Sequence, residues 1–143
     1  MFRNAKIYIS QEEVGLISGK VIRQFLFLKH HNKLPVSNYK TLSDGDSVVI
    51  GNVLVHAIST PGHTIGAMCF RVDEMLFTGD LCMLVNGVVQ PMIKIFTEDM
   101  AMDSQSIRKI AILENFKAIY TPPFGICNRL FKCIFRMVNH TDF

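Results

Sequence analysis

From Ser47 to Thr78 the apolar residues fall into short runs separated by turn formers. Asp44-Gly-Asp46, Gly51-Asn52 and Asp73-Glu74 are turn signals, and the runs between them are rich in Val, Ile and Leu. The pattern predicts strands over Ser47–Ile50, Val53–Ile58, Ala67–Val72 and Met75–Thr78, joined as antiparallel hairpins. Another hairpin is predicted around Asn86-Gly87, between Met83–Val85 and Val88–Gln90. Upstream, Lys6–Ile9 alternates as a short strand. Ser10 stands three residues before Glu13, the capping-box spacing that opens a helix. That helix is predicted to run through Leu16 and Ile17 to Gly19. A second helical stretch is predicted over Val21–Leu28, ended by the polar break at His30–Lys33 and by Pro35.

Beyond Thr97 the period lengthens from two toward 3.6. Ile107, Ile110, Ala111 and Phe116 share one side, with Arg108, Lys109 and Glu114 opposite. Ala118–Tyr120 then reads as a strand entering the rigid turn Thr121-Pro-Pro123. In the tail, Leu130, Phe131, Ile134, Phe135 and Val138 oppose Arg129, Lys132 and Arg136, an amphipathic helix over Asn128–Val138. The order β-α-α, β meander, α-β-α predicts an α/β (α+β) domain with a substantial sheet.

Composition narrows the class. The 143 residues are 49% hydrophobic and 19% charged, with 9 Gly and 5 Pro, which suits one soluble globular domain. No apolar run reaches the roughly 18–20 residues of a membrane span, and Met1-Phe2-Arg3-Asn4 opens no signal-peptide core. A cytoplasmic protein with no membrane partner is the expectation. A net charge of +3 with interspersed signs gives no argument for nucleic acid. Cys69, Cys82, Cys127 and Cys133 lack metal or disulfide spacing and read as small buried hydrophobes, in keeping with a reducing compartment.

The chemistry concentrates in Ser59-Thr-Pro-Gly-His-Thr-Ile-Gly66, between two predicted strands. Pro61-Gly62 forces a tight loop that leaves the His63 imidazole at a strand end. Leu76-Phe-Thr-Gly-Asp80 likewise ends an apolar strand in a carboxylate. A lone loop His is ordinarily a hydrogen-bonding group, and Gly-Asp after a strand is ordinarily a turn. Paired at neighbouring strand ends, His63 and Asp80 become candidate metal ligands. Zinc and iron accept both donors, and a carboxylate can bridge two cations.

Thr60-Pro-Gly-His-Thr64, Gly66 and Phe77-Thr-Gly-Asp80 together resemble the second-half motif of the metallo-β-lactamase superfamily. Leu42-Ser-Asp-Gly-Asp46, Val53–Val55, Asn86-Gly87, Asp99, Ser106–Ile110 and Ala118–Thr121 extend the likeness over residues 4–126. The resemblance implies a partial αββα sandwich, mostly its second half. It implies one truncated domain over 1–143, with 127–143 as a helical tail. It further implies metal-dependent hydrolase chemistry with Zn, Fe or Mn. His63 would be a ligand of the first metal and Asp80 the bridging carboxylate. Metals in such sites lower the pKa of a bound water from about 15.7 toward 7.

Two departures qualify that implication. The family's His-x-His-x-Asp-His motif should precede the Lys6–Ile9 strand and is missing; His30 and His31 are adjacent, downstream, and read as solvated loop residues. Pro123 stands where the last His ligand is expected, and His140 lies far beyond it in the tail. A catalytic zinc normally has three protein ligands plus water. The expectation is therefore a hydrolase-like protein that is inactive alone, with its metal weakly held or absent. One alternative is a thioester, ester or lactam hydrolase completed by a partner chain or an N-terminal segment. The other is a non-catalytic interaction module. A missing first half would also bare one apolar sheet face, at about 25 cal/mol per Å². Self-association, a partner chain or the tail helix would be needed to cover it.

Overall fold

The computed structural model describes residues 5–21, 23–25, 28–30, 38–85, 88–113, 115–121 and 125–127, with the backbone alone at 23–25, 28–30, 88 and 125–127. In chain order the strands are β1 (Ile7–Ser10), β2 (Arg23–Phe25), β3 (Leu28–His30), β4 (Tyr39–Leu42), β5 (Ser47–Ile50) and β6 (Val53–Ser59), followed by β7 (Met68–Val72), β8 (Met75–Phe77), β9 (Cys82–Val85), β10 (Val88–Pro91), β11 (Ala118–Thr121) and β12 (Gly125–Cys127). The helices are α1 (Val14–Ile17) and α2 (Met100–Ala111). A six-stranded sheet in the order β12-β11-β8-β7-β6-β5 organises them. It is antiparallel except where β11 runs parallel beside β8. Two-stranded sheets pair β1 with β4 (parallel), β2 with β3 and β9 with β10.

The hairpins from Ser47 to Phe77 form where the turn residues place them. Ser10 caps the first helical turn as anticipated, its Oγ accepting from the Glu13 N–H at 3.3 Å. The segment predicted as a second helix is different. Within Val21–Leu28, Arg23–Phe25 and Leu28 are strand residues of β2 and β3, with Phe25 opposite Leu28. Its β-branched and aromatic residues lose side-chain freedom in a helix and suit a pleated strand. His30 accordingly ends a strand and is not a loop residue, while His31 and the tail helix lie outside the described residues. Strands β4 and β12 were not anticipated.

One face of the large sheet is closed over its central strands. Ile58, Cys69, Leu76 and Ile119 share it and pack with Ile107 and Ile110 of α2 and with Leu81, Cys82 and Val89. The Asp99 carboxylate caps α2 by accepting from the N–H groups of Ala101 (2.9 Å) and Met102 (3.0 Å). The opposite face alternates with it and carries Val48, Ile50, Val53, Val55, Ala57, Phe70, Val72, Met75, Phe77 and Tyr120. Of these only Ala57 is buried. Phe77 and Tyr120 stack there at 4.8 Å between ring centroids.

Candidate metal centre

Two loops at one end of the sheet build the site. After β6, Thr60 is buried and its N–H donates to Ala67 O at 2.9 Å, closing a loop at whose tip His63 stands. Gly62 is required there. With φ at +145° it lies so close to α2 that a Cβ would fall 2.3 Å from the backbone N and Cα of Asp103. Hydrogen bonds tie this loop to the start of α2. Asp99 N–H donates to Gly62 O at 2.9 Å, Glu98 N–H to His63 O at 3.2 Å, and Ser106 Oγ to Pro61 O at 2.6 Å. On the other side a Cβ on Gly66 would strike Ser10 Oγ at 2.5 Å, so the loop is held between the capped first turn and α2.

Asp80 arrives from β8. Thr78 N–H donates to Tyr120 O at 3.0 Å, which continues the sheet by one step. The chain then turns through Gly79–Leu81, with Leu81 buried as the anchor and Asp80 turned outward. His63 Nε2 lies 3.8 Å from Asp80 Oδ2, with side-chain exposures of 18% and 58%. The structure thus brings the two candidate ligands together at the site mouth.

Behind them is a residue that the sequence reading passed over. Asp103 is fully buried and both carboxylate oxygens lack a hydrogen-bond partner, as does His63 Nδ1. Burial pushes the Asp103 carboxyl up to about 6, while the nearby His63 backbone amide, outside hydrogen-bond geometry, offsets part of the rise. Its sequence signal was positional: Asp103, Ser106, Ile107 and Ile110 share one helical stripe, and all are buried. Cys69 and Cys82 behave as read. Both are buried, and burial pushes their thiols up to about 12 and about 11.

The donor set tests how far a metal fits. A separation of 3.8 Å lets one imidazole nitrogen and one carboxylate oxygen reach the same cation at the usual bond lengths of about 2.0–2.2 Å. Among the described residues no group of three or more His, Cys, Asp or Glu could hold a metal ion. The pair fits part of a coordination shell and not a whole one. Pro123 and His140 lie outside the described residues. Nor, among those residues, is any helix long and apolar enough to cross a membrane.

An imidazole and a carboxylate thus stand at adjacent strand ends of a helix-backed sheet. No family model matches the chain. It is 31% identical over 77 residues to a probable polyketide biosynthesis zinc-dependent hydrolase of Bacillus subtilis, covering 54% of this chain and 28% of that protein. It is 32% identical over 83 residues to a hydroxyacylglutathione hydrolase of Rhizobium etli, covering 57% and 30%. Among solved structures, a metallo-beta-lactamase family protein from Thermus thermophilus superposes with a TM-score of 0.67 at 18% identity, over 95% of this chain and 52% of that one. In sequence over about half its length, and in fold, the chain is similar to the metallo-β-lactamase superfamily, and the partial coverage fits a C-terminal portion of that αββα fold. The curated matches span under a third of their relatives' length, and the structural match about half of the solved chain.

Proposed function

We propose that this chain supplies one half of the metal centre of a zinc-type hydrolase acting on a thioester, ester or lactam carbonyl, and that it is inactive until further donors complete the centre. The observation that carries this reading is the His63–Asp80 pair at 3.8 Å, with no third donor grouped beside it among the described residues. Zinc, when bound, supplies an ionised water at neutral pH for attack on the carbonyl. His63 would present Nε2 to it from a loop clamped on two sides, and Asp80 an exposed carboxylate. The exposed apolar sheet face supports completion from outside, by a partner chain or a further segment that brings donors as it covers that face. The same face also favours a second reading, an interaction module with no catalysis.

Zinc titration with an assay of thioester and lactam hydrolysis tests the proposal. The chain alone should bind zinc only at micromolar or weaker affinity and turn nothing over. His63→Ala and Asp80→Asn should each abolish the residual binding. Stoichiometric tight zinc with turnover by the isolated chain contradicts the reading. Zinc binding indifferent to both substitutions leaves the interaction module as the better account.

A further inference from the structure

Strand β5 is the last strand of the six-stranded sheet, and its outer edge has no strand partner among the described residues. Natural edges are commonly guarded by charge, Pro or a bulge, because an open row of N–H and C=O groups templates another strand. This edge has none of those guards. From Ser47 to Phe70 the sequence contains no Asp, Glu, Lys or Arg, and β5 itself reads Ser-Val-Val-Ile. The tip of its hairpin is apolar on both sides. Val49 (66% exposed) pairs with Leu54 (44%) on one face, and Ile50 (56%) pairs with Val53 (44%) on the other.

We infer that the β5 edge is a self-association surface, where a second copy of this chain adds its own β5 antiparallel to extend the sheet. A two-fold axis through Val49 keeps each side chain on its proper face. It sets Val49 against Val49 and opposes Val48 of one copy to Ile50 of the other, three β-branched pairings with Ser47 opposite Gly51 at the ends. The edge offers nothing for a charged partner to read. The lack of charge also lets two copies of a +3 chain meet without local repulsion. On both faces of the tip the exposed β5 side chains Val49 and Ile50 gain apolar cross-strand neighbours. This inference is independent of the metal reading, because it uses none of the residues of that site.

Sedimentation equilibrium across the micromolar range tests it, with Val49→Lys and Phe77→Lys beside the wild type. Both positions are exposed, and circular dichroism checks that the variants keep the fold. The wild type should dimerise, Val49→Lys should weaken the dimer by about tenfold or more through like charges meeting at the two-fold axis, and Phe77→Lys should leave it intact. If the wild type forms larger aggregates, Val49→Lys should return it to soluble monomer. A wild type that stays monomeric overturns the inference. So does a dimer, or an aggregate, unmoved by Val49→Lys, and so does loss of the dimer only with Phe77→Lys, which would place the contact on the broad face.

Discussion

The two faces of the six-stranded sheet come from the same strands, alternate residue by residue, and are both apolar, yet they are in different states. On one, Cys69, Leu76 and Ile119 are sealed beneath Ile107 and Ile110. On the other, ten side chains of comparable character include only one, Ala57, that is buried. The difference is what lies above each face. The segment from Asp99 to Phe116 brings a capped helix back over the first. Nothing of comparable extent covers the second among the described residues. Apolar content on both sides of a strand is the mark of a strand meant to be buried on both sides. The covered face therefore shows a finished layer, and the open one carries the same apolar character without such a cover among the described residues. The His63–Asp80 pair sits at one end of that same sheet, with no third donor grouped beside it among the described residues.

Truncations on the two faces give the largest separation. Leu76→Ala and Ile110→Ala should each cost about 2–5 kcal/mol, the range for emptying a closed core. Val55→Ala and Phe77→Ala on the open face should cost under about 1 kcal/mol, since half-exposed side chains leave little cavity. Urea unfolding measures both sets. Equal losses on the two faces would mean that the open one is covered after all.

A second effect sits at the junction of α2 with the His63 loop. The buried Asp103 carboxyl holds its proton to about 6 in the folded chain against an ordinary 3.8. Between those values the folded state binds more protons than the unfolded one. The contribution of Asp103 is therefore most favourable below about pH 4 and is lost as pH rises through about 6. At roughly 1.4 kcal/mol per pKa unit, Asp103→Asn should raise stability by about 2–3 kcal/mol at pH 7 and by little at pH 4. Unfolding midpoints of both proteins across that range check it, and a gain independent of pH contradicts it.

The smallest effect belongs to the half-exposed Lys109, whose Nζ donates to both Asp44 oxygens at 2.8 and 2.9 Å and to Ser59 O at 2.9 Å. The Lys109 hydrogen bonds hold the Asp44 carboxyl below its usual range. Solvent screening limits such a pair, so Lys109→Met should cost no more than about 1 kcal/mol, less at high salt. A loss as large as that of Ile110→Ala would show that this link, and not the core, pins α2 to the sheet.

The meander was legible because Asp44-Gly-Asp46, Gly51-Asn52 and Asp73-Glu74 are local signals, and hairpins are local structures. Val21–Leu28 misled because its short apolar runs, on either side of Arg23-Gln24, suit helix and strand alike, and only pairing decides. Strand β4 escaped notice because its partner β1 is far away in sequence and parallel to it. Of the site, His63 and Asp80 were visible as strand-end chemistry. Asp103 was not, because an acidic residue on a helix reads as solvated until the loop that buries it is seen to lie against it.

X-ray absorption at the zinc edge, on the zinc-loaded chain, counts directly how many protein donors the cation finds. One imidazole with an otherwise oxygen-only shell, lost on His63→Ala, is the predicted spectrum. Two or more imidazoles at full occupancy, drawn from a single monomeric chain, would contradict it.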